Sequence, residues 1–591
     1  MRSRWHRRLA GPVALVCLAG LSGCQFGGHG DSAAAADTCA AKDSAEAATV
    51  YSYKIDNTAQ GPATPAPGAH TGGAIRIYDA SDYPHLDPAR IYVNNEQSVA
   101  FLLSRELTGY VQHGTDIHLV GDLATDTGRT SDGGKTWTYT LRDGVTWEDG
   151  SPITSADVKW GLEREFVPDY SEGPTYFQSW IANTGDFHSV YQGPYDGKSL
   201  DAIATPDAKT VVISFKSPQP DLPFDMALQG APVKQSKDTR QAYDQHPLAS
   251  GPYKIASREV DKSLLLVRNT AWKADTDPIR TAYPDSWIFN LGETALQTTQ
   301  RLIGAAGDDA AAITLSDVVP PQLLDEILSR PDLQARSVVS LAPFVNYEAI
   351  NTKRVTDLRV RQALMYAWPR CQLRQLEGGA AVGEFADALS SPTLLGHVDD
   401  DTYHVPPAGD PDKARALLKE AGQLGRQIVM PYNPQSEGSQ QAMIIVKEFL
   451  KKAGFNVVAK PTDPKALIDE TGDPSNAYDT YGSAWAADWP SGATVYPPKW
   501  DGRLIVQAPG NTDESFFDDP KIDSEMDQIK TITDPVEAGK RWAQVDREIR
   551  AQVPEFPLTY FRSRQIYGPR IGGATFDNVY GEISLNYLYV K

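Results

Sequence analysis

Strand signals and helix signals alternate along the chain from Gly72 onward, and this restricts the body to α/β or mixed α+β layering. Gly72-Gly73 opens a period-2 run through Ile75, Ile77 and Tyr78, and Leu86-Asp87-Pro88 closes it in a turn. Thr136–Leu141 alternates strictly, which puts Trp137, Tyr139 and Leu141 on one face of a strand. Asp143-Gly144, Asp149-Gly150 and Ser151-Pro152 mark turns. Thr154 then reads as the N-cap of a helix through Val158–Phe166, with Asp157 in its first turn. Gln97–Thr108 carries Val99, Leu102, Leu103 and Leu107 at helical spacing, and Leu264–Val267 reads as a buried strand. Further helices are predicted over 360–367, 411–421 and 440–453. Asp410-Pro411 starts the second, and Gly422 and Gly454 stop the last two. No internal repeat interrupts the pattern.

A chain of 591 residues exceeds what one hydrophobic core serves, about 250–300 residues, so at least two lobes are expected. The net charge of −20 argues against nucleic acid and against a surface that clings to anionic lipid, since both need a basic face. Charged residues at 22% and apolar residues at 41% are ordinary for a globular body. With 4 Cys the chain is not a disulfide scaffold.

The first residues read as an address. Arg2, Arg4, Arg7 and Arg8 precede a 12-residue apolar run, Leu9–Gly20, too short for the ~20 residues that span a bilayer. Leu21-Ser22-Gly23-Cys24 follows and resembles the lipobox of bacterial lipoproteins. The resemblance implies a signal peptide over 1–23, a diacylglycerol on the Cys24 thiol, and an exported chain held at the extracytoplasmic face of the cell membrane. Residues 24–71, rich in Ala, Gly and Pro, then read as a flexible tether, with room for a short strand around Val50–Ile55. Of the two cysteines left, Cys39 and Cys371 either pair or leave Cys371 as a buried structural thiol.

Several blocks, in order along the body, carry a resemblance to a known family. They are Tyr83-Pro-His-Leu-Asp-Pro88, Ser131-Asp-Gly-Gly-Lys-Thr-Trp through Val158, Ser250-Gly-Pro-Tyr-Lys-Ile255, Leu266-Val-Arg-Asn269, Ala349-Ile-Asn351, Asp357–Leu364, Asp412–Gly422 and Tyr478-Asp479 through Ala484-Trp-Ala-Ala-Asp-Trp489. Together they are similar to the family 5 extracytoplasmic solute-binding proteins, the peptide and oligopeptide receptors of ABC importers. The resemblance covers roughly 72–591. It implies a mixed α/β, bilobal periplasmic-binding-protein-like fold that closes on its ligand by a hinge. Mapped onto this chain, the first lobe is 72–107, 231–342 and 560–591, an inserted small domain is 108–230, and the second lobe is 343–559. Most of the quoted residues read as scaffold, and Arg142 is expected to pair with a nearby carboxylate.

The resemblance also nominates ligand contacts. Asp488 stands where peptide receptors place the carboxylate that takes the peptide α-ammonium; the alternative is that it caps the turn before Pro490. Ala484, Trp485 and Ala486 would offer a strand edge to the peptide backbone, and Trp485 and Trp489 would wall side-chain pockets. Tyr176 either covers the ligand or is an ordinary half-buried aromatic. Tyr560, at the expected re-entry to the first lobe, is a further cleft candidate, and Tyr347 and Asn351 either face the cleft or pack the hinge. Where some oligopeptide receptors carry an Arg that helps hold a C-terminal carboxylate, this chain has Gly482; Pro369 interrupts the Arg-x-Arg helix, and Ser491-Gly492 replaces the usual Asp-Pro. No esterase elbow, zincin motif or phosphate-cradling loop is present, and the 10 His are scattered. The function implied is peptide capture by a monomer for a membrane permease and its ATPase, without cofactor or metal. Two alternatives stay open: the same scaffold holding an oligosaccharide or other solute, for which 12 Trp and 26 Tyr supply stacking surfaces, and a surface receptor or hydrolase with no transport role.

Overall fold

The computed structural model describes residues 51–170 and 172–591. The signal peptide, Cys24 and Cys39 lie outside the described residues. The described chain forms two compact units, Tyr51–Ser340 with Ser563–Lys591, and Leu341–Arg562.

The strands of the first unit are β1 (Ser52–Asp56), β2 (Ala74–Asp79), β3 (Thr108–His113), β4 (Asp116–Gly121), β5 (Thr136–Thr140) and β6 (Ile203–Asp207). Then come β7 (Thr210–Ser214), β8 (Tyr253–Glu259), β9 (Ser263–Arg268), β10 (Ser286–Leu291) and β11 (Ala312–Thr314). They build three sheets, ordered β11-β2-β10-β9-β8, β1-β4-β3 and β5-β7-β6. Its helices include α1 (Asn94–Leu103), α2 (Ser155–Arg164) and α3 (Tyr176–Ala182). The alternation on β5 buries Trp137 and Tyr139, which join Trp147, Leu162, Phe166 and Phe177 in one cluster. At the start of α2 the Asp157 carboxylate accepts from both the main-chain N and the hydroxyl of Thr154, at 2.8 and 2.9 Å. Asp87, in the turn after β2, accepts two bonds from the fully buried Arg164 guanidinium at 2.7 and 2.6 Å, which ties that turn to α2.

Three expectations change here. The tether expected over 24–71 is shorter, because residues 51–71 are packed. β1 adds in parallel to β4, Asn57 accepts from Thr127 N and Oγ1, and Tyr283 accepts from Ala66 N. Residues poor in apolar side chains are held through their main chain instead. Arg142 meets carbonyls rather than a carboxylate: it donates to Gly121 O, Asp122 O and Ala59 O and to the Gln60 side chain, all at 2.8–2.9 Å. The helix expected through Thr108 ends at Leu103, since Leu107 O accepts from Asp122 N and Ala124 N and so starts the approach to β3.

The second unit holds β12 (Ser337–Ile350, entering from the first), β13 (Gly383–Phe385), β14 (Gln427–Tyr432), β15 (Asn456–Pro461), β16 (Thr480–Ala486) and β17 (Glu555–Ile566, leaving to it). One sheet runs β13-β17-β12-β16, and β14 and β15 form a parallel pair. Its helices include α4 (Leu358–Ala367), α5 (Arg370–Glu377), α6 (Pro411–Glu420) and α7 (Glu437–Ala453). Asp410 caps α6 through a bond from Lys413 N, and Gly454, at φ +102°, ends α7 in the left-handed region that a side chain resists. Cys371 on α5 is fully buried and disulfide-bonded; Cys39, its candidate partner from the sequence, is among the residues not described.

The first unit carries a buried ion square. Arg105 and Arg280 both reach Asp122 at 2.7 Å, and both approach Asp277, at 3.5 and 3.4 Å. Burial pushes the Asp277 carboxyl up, but the two guanidiniums and two main-chain bonds outweigh it and hold it down at about 2. Removing one partner from such a group strands a buried charge, a loss of about 3–5 kcal/mol. Asp122→Ala is therefore expected to lower the unfolding free energy by about that amount, whereas Glu259→Ala, at the exposed Lys262 pair, should leave it unchanged. Chemical denaturation of both variants checks this, and equal, small effects would refute the role given to the square.

Candidate functional site

The candidate residues gather on the last strand of the second unit's sheet. β16 pairs antiparallel with β12 from Ile350↔Thr480 to Phe344↔Ala486. It is the edge of its sheet, and among the described residues no strand pairs with its outer side. In an antiparallel edge strand, alternate residues turn their N–H and C=O groups outward, where an added strand can take them. Asn346↔Ala484, Val345↔Trp485 and Phe344↔Ala486 fix the register of the three residues expected to offer that edge. Trp485 points into the core, buried with Tyr347, Trp500, Trp542 and Tyr560, and its indole N–H donates to Thr494 O at 2.7 Å.

After Ala486 the chain bends, and Asp488 sits half-buried in that bend. The bend is pinned from the far side: Ser491 N and Thr494 Oγ1 both donate to Trp489 O, at 2.6 and 3.2 Å. Trp489 itself is buried. Ala484, Trp485, Ala486, Asp488 and Trp489 are thus brought together by one strand and its exit. Tyr560, on β17, is buried in the same core as Trp485; its hydroxyl accepts from Ala388 N at 3.0 Å and Asp387 N at 3.3 Å and approaches Asp399 at 3.4 Å. Tyr347 donates to Leu389 O. Asn351 lies past the opposite end of β16, seven residue steps and so about 23 Å from Ala486 at ~3.3 Å per residue. It is fully buried, where its N donates to Asp479 O and its O accepts from Arg354 and Val355. Tyr176 belongs to the other unit, as the first residue of α3, half-buried with its ring 6.1 Å from that of Trp180.

Inside the sheet lies a polar group that the sequence does not announce. Lys499, almost fully buried, contacts Glu555 at 3.0 Å, Glu514 at 3.4 Å and the Ser483 hydroxyl on β16 at 2.9 Å. Ser483 also donates to Glu514, and Glu348, on β12, accepts from Thr480 at 2.6 Å. Asp513 completes the set, its carboxylate accepting from the Ser515 hydroxyl. Two carboxylates, Glu555 and Glu514, so contact the one ammonium, with Asp513 acting on it at longer range and Glu348 held by Thr480 on the other face of the strand. Burial pushes Glu348 up to about 8 and Glu555 up to about 7, the latter in spite of Lys499, and lifts Asp513 well above its ordinary range. Long-range pairing assembles this group from five chain segments, so no local motif could have revealed it.

The comparisons with known proteins fit this geometry. The family model described as "Bacterial extracellular solute-binding proteins, family 5 Middle" matches residues 118–503, well over half of the chain. The chain belongs to that family. Among relatives of this family 5 member, a probable peptide ABC transporter periplasmic-binding protein of Sinorhizobium fredii is 25% identical over 57% of this chain and 61% of its own length. A probable D,D-dipeptide-binding periplasmic protein of Escherichia coli is 22% identical over 82% of this chain and 88% of its own. Among solved structures, a clavulanic acid biosynthesis oligopeptide binding protein aligns with a TM-score of 0.81 at 28% identity, covering 90% of this chain and 99% of that one. No described helix of this family 5 protein is long and apolar enough to cross a membrane.

The buried carboxyl groups fix a pH dependence. Glu348 and Glu555 bind protons in the folded state up to about pH 8 and 7, but in the unfolded chain only up to about 4.3. The folded state therefore holds more protons between these limits, and stability falls as pH rises through them. We expect the unfolding free energy to drop on the order of 2 kcal/mol or more between pH 5 and pH 8.5, since one extra bound proton changes it by about 1.4 kcal/mol per pH step of one. Glu348→Gln keeps an acceptor for Thr480 and should flatten the slope and stabilise the protein at pH 8.5. A slope identical to that of the unaltered chain would refute the assignment.

Proposed function

We propose that this family 5 protein captures peptides outside the cell and delivers them to an ABC permease driven by its ATPase. The observation that carries the reading is an edge strand, β16, that ends in a half-buried carboxylate, Asp488. A peptide added along Ala484–Ala486 would exchange main-chain bonds with the outer side of β16, and Asp488 would take its α-ammonium and set its register. In this reading Trp485 and Trp489 shape the floor beneath the strand, and Tyr560 and Asn351 support its two ends. Tyr176, on the first unit, is kept as an aromatic candidate. The relatives that bind dipeptides and oligopeptides support the ligand class. Capture of this kind needs no covalent chemistry, cofactor or metal: the solute stabilises whichever state binds it more tightly.

The finer organisation is proposed with it. The first unit is read as a lobe, 72–107 with 231–342 and 560–591, that carries the small domain 108–230; the separate β5-β7-β6 sheet with its own core supports that division. The second lobe is 343–559. The protein works as a monomer, held at the extracytoplasmic membrane face by lipid on Cys24. Cys24→Ala is expected to move it from the membrane fraction to the soluble fraction, and unchanged membrane association would remove the anchor from the reading.

The ligand assignment is tested by thermal unfolding with a peptide pool, the same pool N-acetylated, and an oligosaccharide pool. A ligand at 100 times its dissociation constant adds ~2.7 kcal/mol. Free-amine peptides should raise the midpoint and acetylated ones should not. Asp488→Ala should weaken free-amine peptides about tenfold or more, since a charge-assisted bond contributes ~1.5–3 kcal/mol. A shift with sugars alone would overturn the ligand class, and unchanged peptide affinity in Asp488→Ala would overturn the role of that carboxylate.

A further inference from the structure

The first unit carries a partly open pocket of about 50 Å³ between α1, β3 and the segment 577–580. Its walls are apolar at Ile91, Phe101, Leu228 and Ile279 and polar where Glu106 and Tyr110 enter. Residues 106, 108 and 110 alternate onto one side of β3 and its lead-in, and all three line the cavity. Gly109 between them leaves room for Ile279, whose Cδ1 lies 2.6 Å from where a Cβ would stand.

The polar groups here divide sharply. Thr108 donates to Pro223 O at 2.7 Å. Asp577 accepts from Val579 N and Tyr580 N at 2.9 and 3.0 Å. Arg280 spends all three nitrogens elsewhere, on Phe101 O, Ser104 O and the Asp122 carboxylate. By contrast, Oε2 of Glu106 and the hydroxyl of Tyr110 are buried with no hydrogen-bond partner among the described residues. Buried polar atoms without partners are rare and costly, of order 1–3 kcal/mol each, and a carboxylate costs more. Burial pushes the Glu106 carboxyl well above its usual range, Asp122 adds to the rise, and Arg280 opposes it. A positive group beside Glu106 would reverse that penalty, and among the described residues the lining has no cation free to supply it.

We propose that this cavity is a binding site for an alkylammonium group, with Glu106 as its charge partner, Tyr110 as a second acceptor, and Phe101, Ile91 and Leu228 around the carbon stem. The volume of about 50 Å³ suits an ammonium and part of its carbon stem, on a scale where about 10–15 Å³ admits one water. The group has two sources: a free small amine, or the lysine side chain of a bound peptide. The second source rests on the peptide reading above.

The test is isothermal titration of the full soluble chain with n-butylammonium, n-pentanol, and two free-amine tripeptides that differ only in lysine against norleucine. Butylammonium should bind at least tenfold more tightly than pentanol. Glu106→Gln, checked for folding by its unfolding midpoint, should lose that preference, and Tyr110→Phe should weaken butylammonium about threefold. A lysine peptide preferred tenfold over norleucine, with the preference lost in Glu106→Gln, identifies a peptide side chain as the source; selectivity for butylammonium alone identifies a free amine. Pentanol binding as tightly as butylammonium, no binding of either, or unchanged butylammonium affinity in Glu106→Gln overturns the site. Failure of the Asp488 assignment would show separately, as equal affinity for the norleucine peptide with and without an N-acetyl group.

Discussion

The antiparallel pairing of β16 with β12 is the interaction on which the functional reading depends. It fixes which main-chain groups are consumed within the sheet and which are left for an added strand. An open edge is normally a liability, because it invites pairing with other chains. Here the strand is only seven residues long, and it stops in a bend whose main chain is held by Ser491 and Thr494. The same features that blunt the edge against aggregation define a short docking length with a carboxylate at one end. A slip of one residue would turn Trp485 out of the core and carry Asp488 with it, so burial of one indole enforces the register of the whole edge.

The two units treat buried charge in opposite ways. In the first, two arginines balance two aspartates, and each carboxylate also takes main-chain bonds: Asp277 from Ile279 and Arg280, Asp122 from Glu106. That square is formally neutral, and its Asp277 carboxyl is held down at about 2. In the second, Lys499 has two carboxylate contacts, and burial raises Glu348, Glu555 and Asp513 so that protonation relieves the excess of acid. These groups reach β16 from its two faces, Lys499 and Glu514 through Ser483 and Glu348 through Thr480. The edge strand is therefore attached to a part of its unit where several groups change charge together near neutrality.

What was legible in the sequence was local. The alternation at Trp137, Tyr139 and Leu141, the Thr154–Asp157 cap, the Asp410-Pro411 start and the Gly454 stop each act within one turn or one strand, and each stands where expected. Asp143-Gly144 and Asp149-Gly150 make turns for the same reason, with both glycines at positive φ. The family blocks revealed the scaffold for a related reason, since their residues are mostly turn and core chemistry. What was not legible depends on partners distant in sequence. Arg142 has the sequence context of half an ion pair, yet it is held by carbonyls that β4 and residues 59–60 deliver. The short strand expected around Val50–Ile55 is β1, but residues 57–71 read as unstructured because they bury few side chains, yet bonds at Asn57 and Ala66 hold them. Lys499 and Glu106 carry no motif; their character comes from burial alone.

Burial also explains why a scaffold this recognisable leaves its ligand chemistry so open. Trp485, Trp489, Tyr347 and Tyr560 are the residues that a search for aromatic contacts finds first, and all four are interior. Their size fixes the shape of the floor, and their hydrogen bonds fix its position, but neither presents a charge to a solute. Discrimination between solutes would have to come from polar groups, because a mismatched polar partner costs far more than a missing methylene. In the proposed reading, the carboxylate after the edge strand would select for an amino terminus, and the one facing the first unit's apolar pocket for another ammonium. With those two assignments, a protein of net charge −20 would recognise positive groups at particular points rather than over its whole surface.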